Sequence, residues 1–325
     1  MPNIISSLAP MAGYTDAAFR RICSEFGADY AVSEMISSMA MVMGDRKTAD
    51  LAKIHPGEAP VVLQIFGHDP DVMAKSADML LSGDYHGCSY AAKPAGIDIN
   101  MGCPVKKIVS NGEGSALMKN TDLACRIISA VAEVCAKYSV PLSVKHRLGW
   151  DSTSINAADF AYAAARAGAS KITLHTRTRE QMYAPSADPS VCREVSARLR
   201  ELGVPLVGNG DIETLDDAEA YLDFGCSEVS VGRAALGNPW IFRQLKEPDT
   251  FTPPSLDEVI DLVIRFVTEL VAEKGEAVGI RESRGRAAYF IHGMRGSAKI
   301  RDRLNHSNTL DEFVSVLNEI KNTVN

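Results

Sequence analysis

The stretch Gly96-Ile97-Asp98-Ile99-Asn100-Met101-Gly102-Cys103-Pro104 puts a thiol where a strand has to end. Ile97, Ile99 and Met101 alternate with Asp98 and Asn100, the period-two pattern of a short strand, and Gly102 and Pro104 break it on either side of Cys103. A cysteine presented between two chain breakers is placed to donate or accept a proton or to attack. The competing interpretation is an inert thiol, since free cysteines are among the most buried residues. Two further stretches carry polar chemistry of a different kind. Gly208-Asn209-Gly210-Asp211 and Gly232-Arg233 combine bare backbone with a guanidinium, which suits a phosphate, although glycine turns also arise only because the chain must turn. Lys145 ends the otherwise neutral run Leu142-Ser143-Val144, and a cation in such a place needs an anionic partner.

These residues fall at the ends of a repeating unit. Eight short apolar segments, Ser7–Pro10, Tyr30–Ser33, Val61–Phe66, Gly96–Asn100, Leu142–Lys145, Lys171–His175, Leu206–Asn209 and Glu228–Gly232, alternate with stretches of helical spacing. Strands separated by helices pair in parallel, and eight units over this length predict a closed (β/α)₈ TIM barrel, an α/β fold, in preference to a doubly wound open sheet. Asn120 and Thr214 are placed as helix N-caps, and Gly168 and Gly225 as helix stops. The stretch after the second segment gives no clear helix signal. Residues 83–95 read as a surface loop in which Cys88 is incidental.

Beyond Trp240 the character of the chain changes. Lys246–Pro254 is polar and proline-containing, Ser255 and Glu258 form a capping pair, and apolar residues then recur at helical spacing. The expected organisation is a barrel over residues 1–245 and an all-helical domain over 246–325. Within the latter, Arg281, Arg284, Arg286, Arg295, Lys299, Arg301 and Arg303 stand against only Glu282 and Asp302, either a solvated face or a surface for polyanions.

In barrels of this kind the site lies at the C-terminal ends of the strands, which gathers Pro10, Met11, Ala12, Gln64, Asn100, Cys103, Lys145, Arg147, His175, Asn209, Gly210, Asp211, Gly232 and Arg233. A reduced flavin, negative near N1 and the C2 carbonyl, would answer Lys145, and Gln64 could donate and accept at the ring's edge. The chain lacks a Gly-x-Gly-x-x-Gly after its first strand, and Gly112-x-Gly114 has no third glycine, so a nicotinamide would visit only transiently.

Composition sets bounds. The chain has 325 residues, 46% hydrophobic and 23% charged, with a net charge of -7 that argues against nonspecific coating of nucleic acid. No apolar run approaches the ~20 residues of a membrane span, and the amino terminus lacks signal-peptide character, so a cytoplasmic, membrane-free protein is expected. Seven cysteines without a Cys-x-x-Cys pair point to reduced thiols and to no metal site.

Seven runs in order resemble the tRNA-dihydrouridine synthases, the opening one most like the bacterial B-type branch. They are Ala9–Asp16, Gln64–Gly67, Asp98–Pro104, Val144–Trp150, His175–Tyr183, Gly208–Ile212 and Gly232–Trp240. The resemblance implies FMN held by Pro10, Met11, Ala12, Gln64, Lys145, His175, Asn209, Gly210, Asp211, Gly232 and Arg233, with NADPH or NADH as reductant. It implies tRNA as substrate, steadied by the helical domain, and Cys103 as proton donor to C5 of a uracil whose C6 takes the hydride. Asn100 and Arg147 are expected to hydrogen-bond the base, residues 104–114 to close over it, and the protein to act as a monomer. The chain departs from the family at the long 83–95 loop and at Asp188-Pro189, where relatives often carry Asp-Trp. The rivals are a flavin barrel reducing a free pyrimidine, which has no need of the basic helices, and an RNA-binding barrel without flavin.

Overall fold

The computed structural model describes residues 3–84 and 92–324, so Cys88 and most of the expected 83–95 loop lie outside the described residues. Eight parallel strands close on themselves: β1 Ser6–Leu8, β2 Tyr30–Val32, β3 Val61–Phe66, β4 Gly96–Met101, β5 Leu142–His146, β6 Lys171–His175, β7 Leu206–Asn209 and β8 Glu228–Val231. Closure comes from β1, which pairs with β8 through Ser7↔Ser230 and with β2 through Ser7↔Tyr30, while β2 continues to β3 through Ala31↔Val61. This is the TIM barrel expected from the eight segments.

The crossover helices are α1 Ala17–Glu25, α2 Pro70–Ser82, α3 Thr121–Lys137, α4 Ala157–Arg166, α5 Cys192–Arg200 and α6 Leu215–Asp223, with short Ile241–Lys246 after β8. Their ends obey local chemistry. Asn120 caps α3 by accepting from the Leu123 N–H, and Thr214 and Asp217 form a reciprocal capping box on α6. Gly168 and Gly225 follow α4 and α6 with φ of 121° and 93°, conformations that a side chain would resist. After β2, where no clear helix was expected, the chain makes a two-residue strand, Ile36–Ser37, on the end of β3 and two one-turn helices, Ser38–Val42 and Arg46–Asp50. Segments this short bury too few residues to leave a readable period.

Four helices complete the chain: α7 Leu256–Lys274, α8 Glu276–Phe290, α9 Ser297–His306 and α10 Leu310–Val324. The expected capping box of Ser255 and Glu258 opens α7. Their apolar faces join one hydrophobic core with the barrel helices, with Phe266 on α7 set edge-on to Phe19 on α1. Arg21–Glu269 and Arg265–Glu25 pairs flank that seam.

Arg286 corrects the sequence view of the basic run. It is buried, 7% exposed, and its guanidinium donates to Asp16 Oδ2 at 2.7 Å and to the Gly13 carbonyl at 2.8 Å. Lys274 donates to the same carboxylate oxygen at 2.8 Å. Burial pushes the Asp16 carboxyl up, but Arg286 and Lys274 together hold it below its ordinary value. This arginine therefore pins the helices to the loop after β1. Removing residues 247–325 would open the core and release that loop. Arg286→Ala leaves Asp16 half-compensated in a buried site and should cost roughly 3 kcal/mol in denaturant unfolding, a buried pair broken from one side. A loss under ~0.5 kcal/mol would remove the pin from the account of the fold.

Candidate active site

The strand ends converge on a cleft of about 490 Å³, and every site residue expected from the sequence lines it, from Pro10 and Gln64 to Gly232 and Arg233. Parallel register does the gathering. Asn100 lies beside Lys145, His175 beside Asn209, and Asn209 beside Ser230 on neighbouring strands.

Cys103 is half-buried on the cleft wall, in a turn held from two sides. Asn100 Oδ1 accepts from the N–H groups of Gly102 at 3.1 Å and Cys103 at 2.9 Å. The Cys103 carbonyl accepts from the Ser115 N–H at 3.1 Å and hydroxyl at 2.7 Å. Gly114, at φ +58°, lets the returning chain come so close that a Cβ there would lie 2.8 Å from the Cys103 carbonyl oxygen. The segment expected to close over the site is thus anchored at its far end against the thiol's own turn. Burial raises the thiol pKa, opposed by the Val105 N–H and by Arg147 and Lys145, and the net shift is upward, which keeps the group protonated at neutral pH.

The same cleft holds a concentration of cations. Lys145 Nζ donates to Asn209 Oδ1 at 2.9 Å, and Asn209 in turn donates to the Ser230 carbonyl at 2.7 Å. Burial, and then Arg147, lower the Lys145 pKa to about 8. His175 is held neutral, first by burial and then by Lys145 and the surrounding arginines. Arg147, expected to hydrogen-bond a base, is also committed to main-chain carbonyls. Its Nε donates to the Gly102 carbonyl at 2.9 Å, and one terminal nitrogen donates to the carbonyls of Thr178 and Met182 at 2.9 and 3.0 Å. It braces the thiol turn against the loop after β6 and has one terminal nitrogen left for a ligand.

Asp211 is also more occupied than its sequence context suggests. Its carboxylate pairs with both terminal nitrogens of Arg177, with Arg233 at 2.7 Å and with the Ala187 N–H at 2.9 Å. Burial works against the charge, yet the hydrogen bonds from Arg177 and Ala187 take its pKa below the ordinary value. Its side chain orients the two arginines and its main chain is held at φ 45°. Beside it Gly210 has φ +132°, and a Cβ there would lie 2.9 Å from Ala187 Cβ. At Gly232 a Cβ would meet only Ala9 Cβ and Met11 Sδ at 3.8 Å, so the glycine leaves open a piece of the cleft that a side chain would fill. Bare turns at consecutive strand ends, one followed by Arg233, fit a phosphate.

Arg177, Tyr14, Tyr183 and Tyr289 line the same cleft without having been singled out in the sequence. Tyr289 comes from α8, and its hydroxyl lies 3.3 Å from that of Tyr14 on the β1 loop. Nothing local marks it, because its partner is 275 residues away.

A parallel barrel with a protonated thiol, a half-buried lysine and two bare turns around one strand-end cleft has the layout of a (β/α)₈ enzyme. The profile of the dihydrouridine synthase (Dus) family matches residues 7–325, and the chain belongs to that family. A probable tRNA-dihydrouridine synthase of Rickettsia conorii is 36% identical over 312 residues, covering 94% of this chain and 89% of its own. One of Treponema pallidum is 34% identical over 318 residues, covering 96% and 91%. A tRNA-dihydrouridine synthase B of Pasteurella multocida is 36% identical over 304 residues, covering 92% and 87%.

Because Gly114 has both a left-handed backbone and no room for a Cβ, Gly114→Ala should destabilise the fold by roughly 1–3 kcal/mol and displace the Cys103 turn. Denaturant unfolding, with the rate of Cys103 alkylation alongside, measures both effects; wild-type values for the two would show that the close approach is not needed.

Proposed function

We propose that this protein reduces uridine in tRNA to 5,6-dihydrouridine, with FMN held in the strand-end cleft and NADPH or NADH as the reductant. The observation that carries this reading is the pairing, in one cleft, of a thiol kept protonated by burial with a half-buried lysine whose contact is a neutral amide. Such a lysine suits a ring that bears negative charge, and Gly210, Gly232 and Arg233 suit its phosphate. The loop of Pro10, Met11 and Ala12, with Gln64, His175, Asn209 and Asp211, would complete the enclosure of FMN.

When bound, flavin would supply hydride to C6 of the uracil. Cys103 then gives its proton to C5, closing the negative charge that develops on C5 and the C4 carbonyl; a positioned acid of this kind is worth about 10²–10⁴-fold. Asn100 holds the acid's turn with its oxygen and donates one N–H to Gln64 at 2.9 Å. Its other N–H has only Met35 Sδ at 4.0 Å, a weak acceptor that a pyrimidine carbonyl would replace. Arg147 keeps a terminal nitrogen for the base. A uridine must leave its stack to enter a cleft of this depth, which the exposed rim residue Tyr183 could accompany by stacking.

The tRNA would lie against the exposed members of the basic run, Arg281, Arg295, Lys299 and Arg301, whereas Arg303 is paired bidentately with Glu319 and Arg284 is turned to Ser307 and Asn308. A cytoplasmic, monomeric enzyme fits this role, and the helical region over 246–325 is its tRNA-binding part as well as a structural one. Against a free-pyrimidine reductase stands the joining of those helices to the cleft through Tyr289 and Arg286.

Cys103→Ala should retain flavin and its reduction by NADPH while dihydrouridine formation on unmodified tRNA, followed by mass mapping, falls about 10²–10⁴-fold. Since the acid is the protonated thiol and its pKa is raised, the single-turnover rate of wild-type protein should stay flat through neutral pH and decline only above the ordinary thiol value of about 8.5. An unchanged rate in the alanine variant would end the acid role. Replacing Arg295 and Lys299 by alanine should weaken tRNA binding and reduce the salt dependence of its log affinity by about one per lost phosphate contact, with flavin content unaltered. An unchanged salt slope would move the tRNA elsewhere.

A further inference from the structure

We propose that Asp98, which does not touch the cleft, is a positioning residue: as the terminal acceptor it completes a one-directional hydrogen-bond chain, through Gln64 and Asn100, that holds the Cys103 turn in place. The chain's polarity is forced from one end. Asn100 accepts two main-chain N–H groups, from Gly102 and Cys103, and these can only donate, so that atom is the amide oxygen. The amide nitrogen of Asn100 therefore points at Gln64, 2.9 Å away, and must meet the oxygen of Gln64. That leaves the nitrogen of Gln64 directed at Asp98 Oδ2, 2.7 Å away, which must accept.

The opposite end agrees. Asp98 Oδ1 takes the Ser143 hydroxyl at 2.5 Å, so both oxygens of the carboxylate accept. Asp98 is 2% exposed, and burial raises its pKa against the hydrogen bonds from Ser143 and Gln64 and the charge of Lys145. A second cavity of about 400 Å³ runs through the barrel interior below the site, lined by Asp98, Ser143 and Lys145 among others. Were the group at position 98 to present a donor to Gln64, the two amides would have to turn over in sequence. Asn100 would then face the N–H groups of Gly102 and Cys103 with its own N–H, donor against donor, and the turn would be pushed off. The same direction decides which end of Gln64 remains toward the cleft. The consequence for catalysis rests on the dihydrouridine reading; the chain's direction does not.

The test is a swap of two isosteric side chains. In Asn100→Asp, residue 100 still accepts from the turn, but acceptor now meets acceptor on one side of Gln64 whichever way that amide lies. In the double variant Asp98→Asn/Asn100→Asp the chain can run in reverse, from an amide at position 98 through Gln64 to a carboxylate at position 100, with every donor again facing an acceptor. The readouts are the alkylation rate of Cys103 by iodoacetamide, followed by mass spectrometry of its peptide in the full-length protein as purified, and the thermal midpoint. Neither depends on tRNA or on turnover. Asn100→Asp should raise the alkylation rate about tenfold and lower the midpoint, the scale of coupling within one buried network, and the double variant should return to within about threefold of wild type. Asp98→Asn alone can keep the original direction and should also stay within about threefold. Equal damage from Asn100→Asp in both backgrounds, failure of both to fold included, or no damage in either, would overturn the proposal. Absence of dihydrouridine formation by wild-type protein would overturn the functional reading and leave this result standing.

Discussion

Everything in the cleft depends on the parallel register of a closed sheet. Residues more than two hundred positions apart become neighbours because β1 pairs with β8, and Gln64, Asn100, Lys145, His175 and Asn209 end up around one mouth because each strand is offset correctly against the next. Side chains alternate along a strand, so a slip of one residue anywhere would send a polar group from the mouth into the helix layer. The apolar partners that fix the register, Ile97, Ile99, Val144, Ile172 and Leu174, are fully buried, and exposing them is what a slip would cost. The site's geometry is in this sense a by-product of packing on the other face of the same strands.

That geometry crowds positive charge. Lys145, Arg147, Arg177 and Arg233 meet around a neutral His175, in a protein whose net charge is -7. The cluster is tolerable because each cation is given different work. Arg177 and Arg233 share Asp211, Arg147 is spent largely on carbonyls, and Lys145 is left with an amide oxygen and a lowered pKa. The guanidiniums thus build walls, and the amine remains the responsive group. An arginine could not take its place, since its charge cannot be tuned in this range.

The sequence carries the barrel well, because each strand is a short apolar run punctuated by Gly, Pro or a polar residue, and the observed strands lie within two residues of those expected. It carries the list of cleft residues for the same reason: strand ends in a barrel share one face. What it does not carry is the direction in which each of those side chains is already committed. Asp211 lines the cleft as expected but also organises two arginines; Arg286 looks like part of a basic surface and is a buried strap. Tyr289 and Arg177 had no local signal at all. Contacts between positions 16 and 286, or 14 and 289, are properties of the assembled fold, and no spacing rule within a helix encodes them.

On the proposed tRNA-binding reading, the helical region meets two demands that conflict in sequence but not in space. An RNA-binding face needs exposed cations, while docking onto a barrel needs apolar residues and satisfied charges. The structure separates them along the chain: α7 and the inner face of α8 carry Phe266, Ile280, Ala287 and Phe290 into the core together with Arg286, while Arg295 in the turn before α9 and Lys299 and Arg301 on α9 lie in solvent. The residue at the border is Tyr289, placed on α8 between the buried strap and the open cleft. Through Gly13, Tyr14 and Asp16, the loop after β1 that lines the cleft also touches these helices. On that reading, a polyanion on these helices would rest on elements in direct contact with a wall of the cleft.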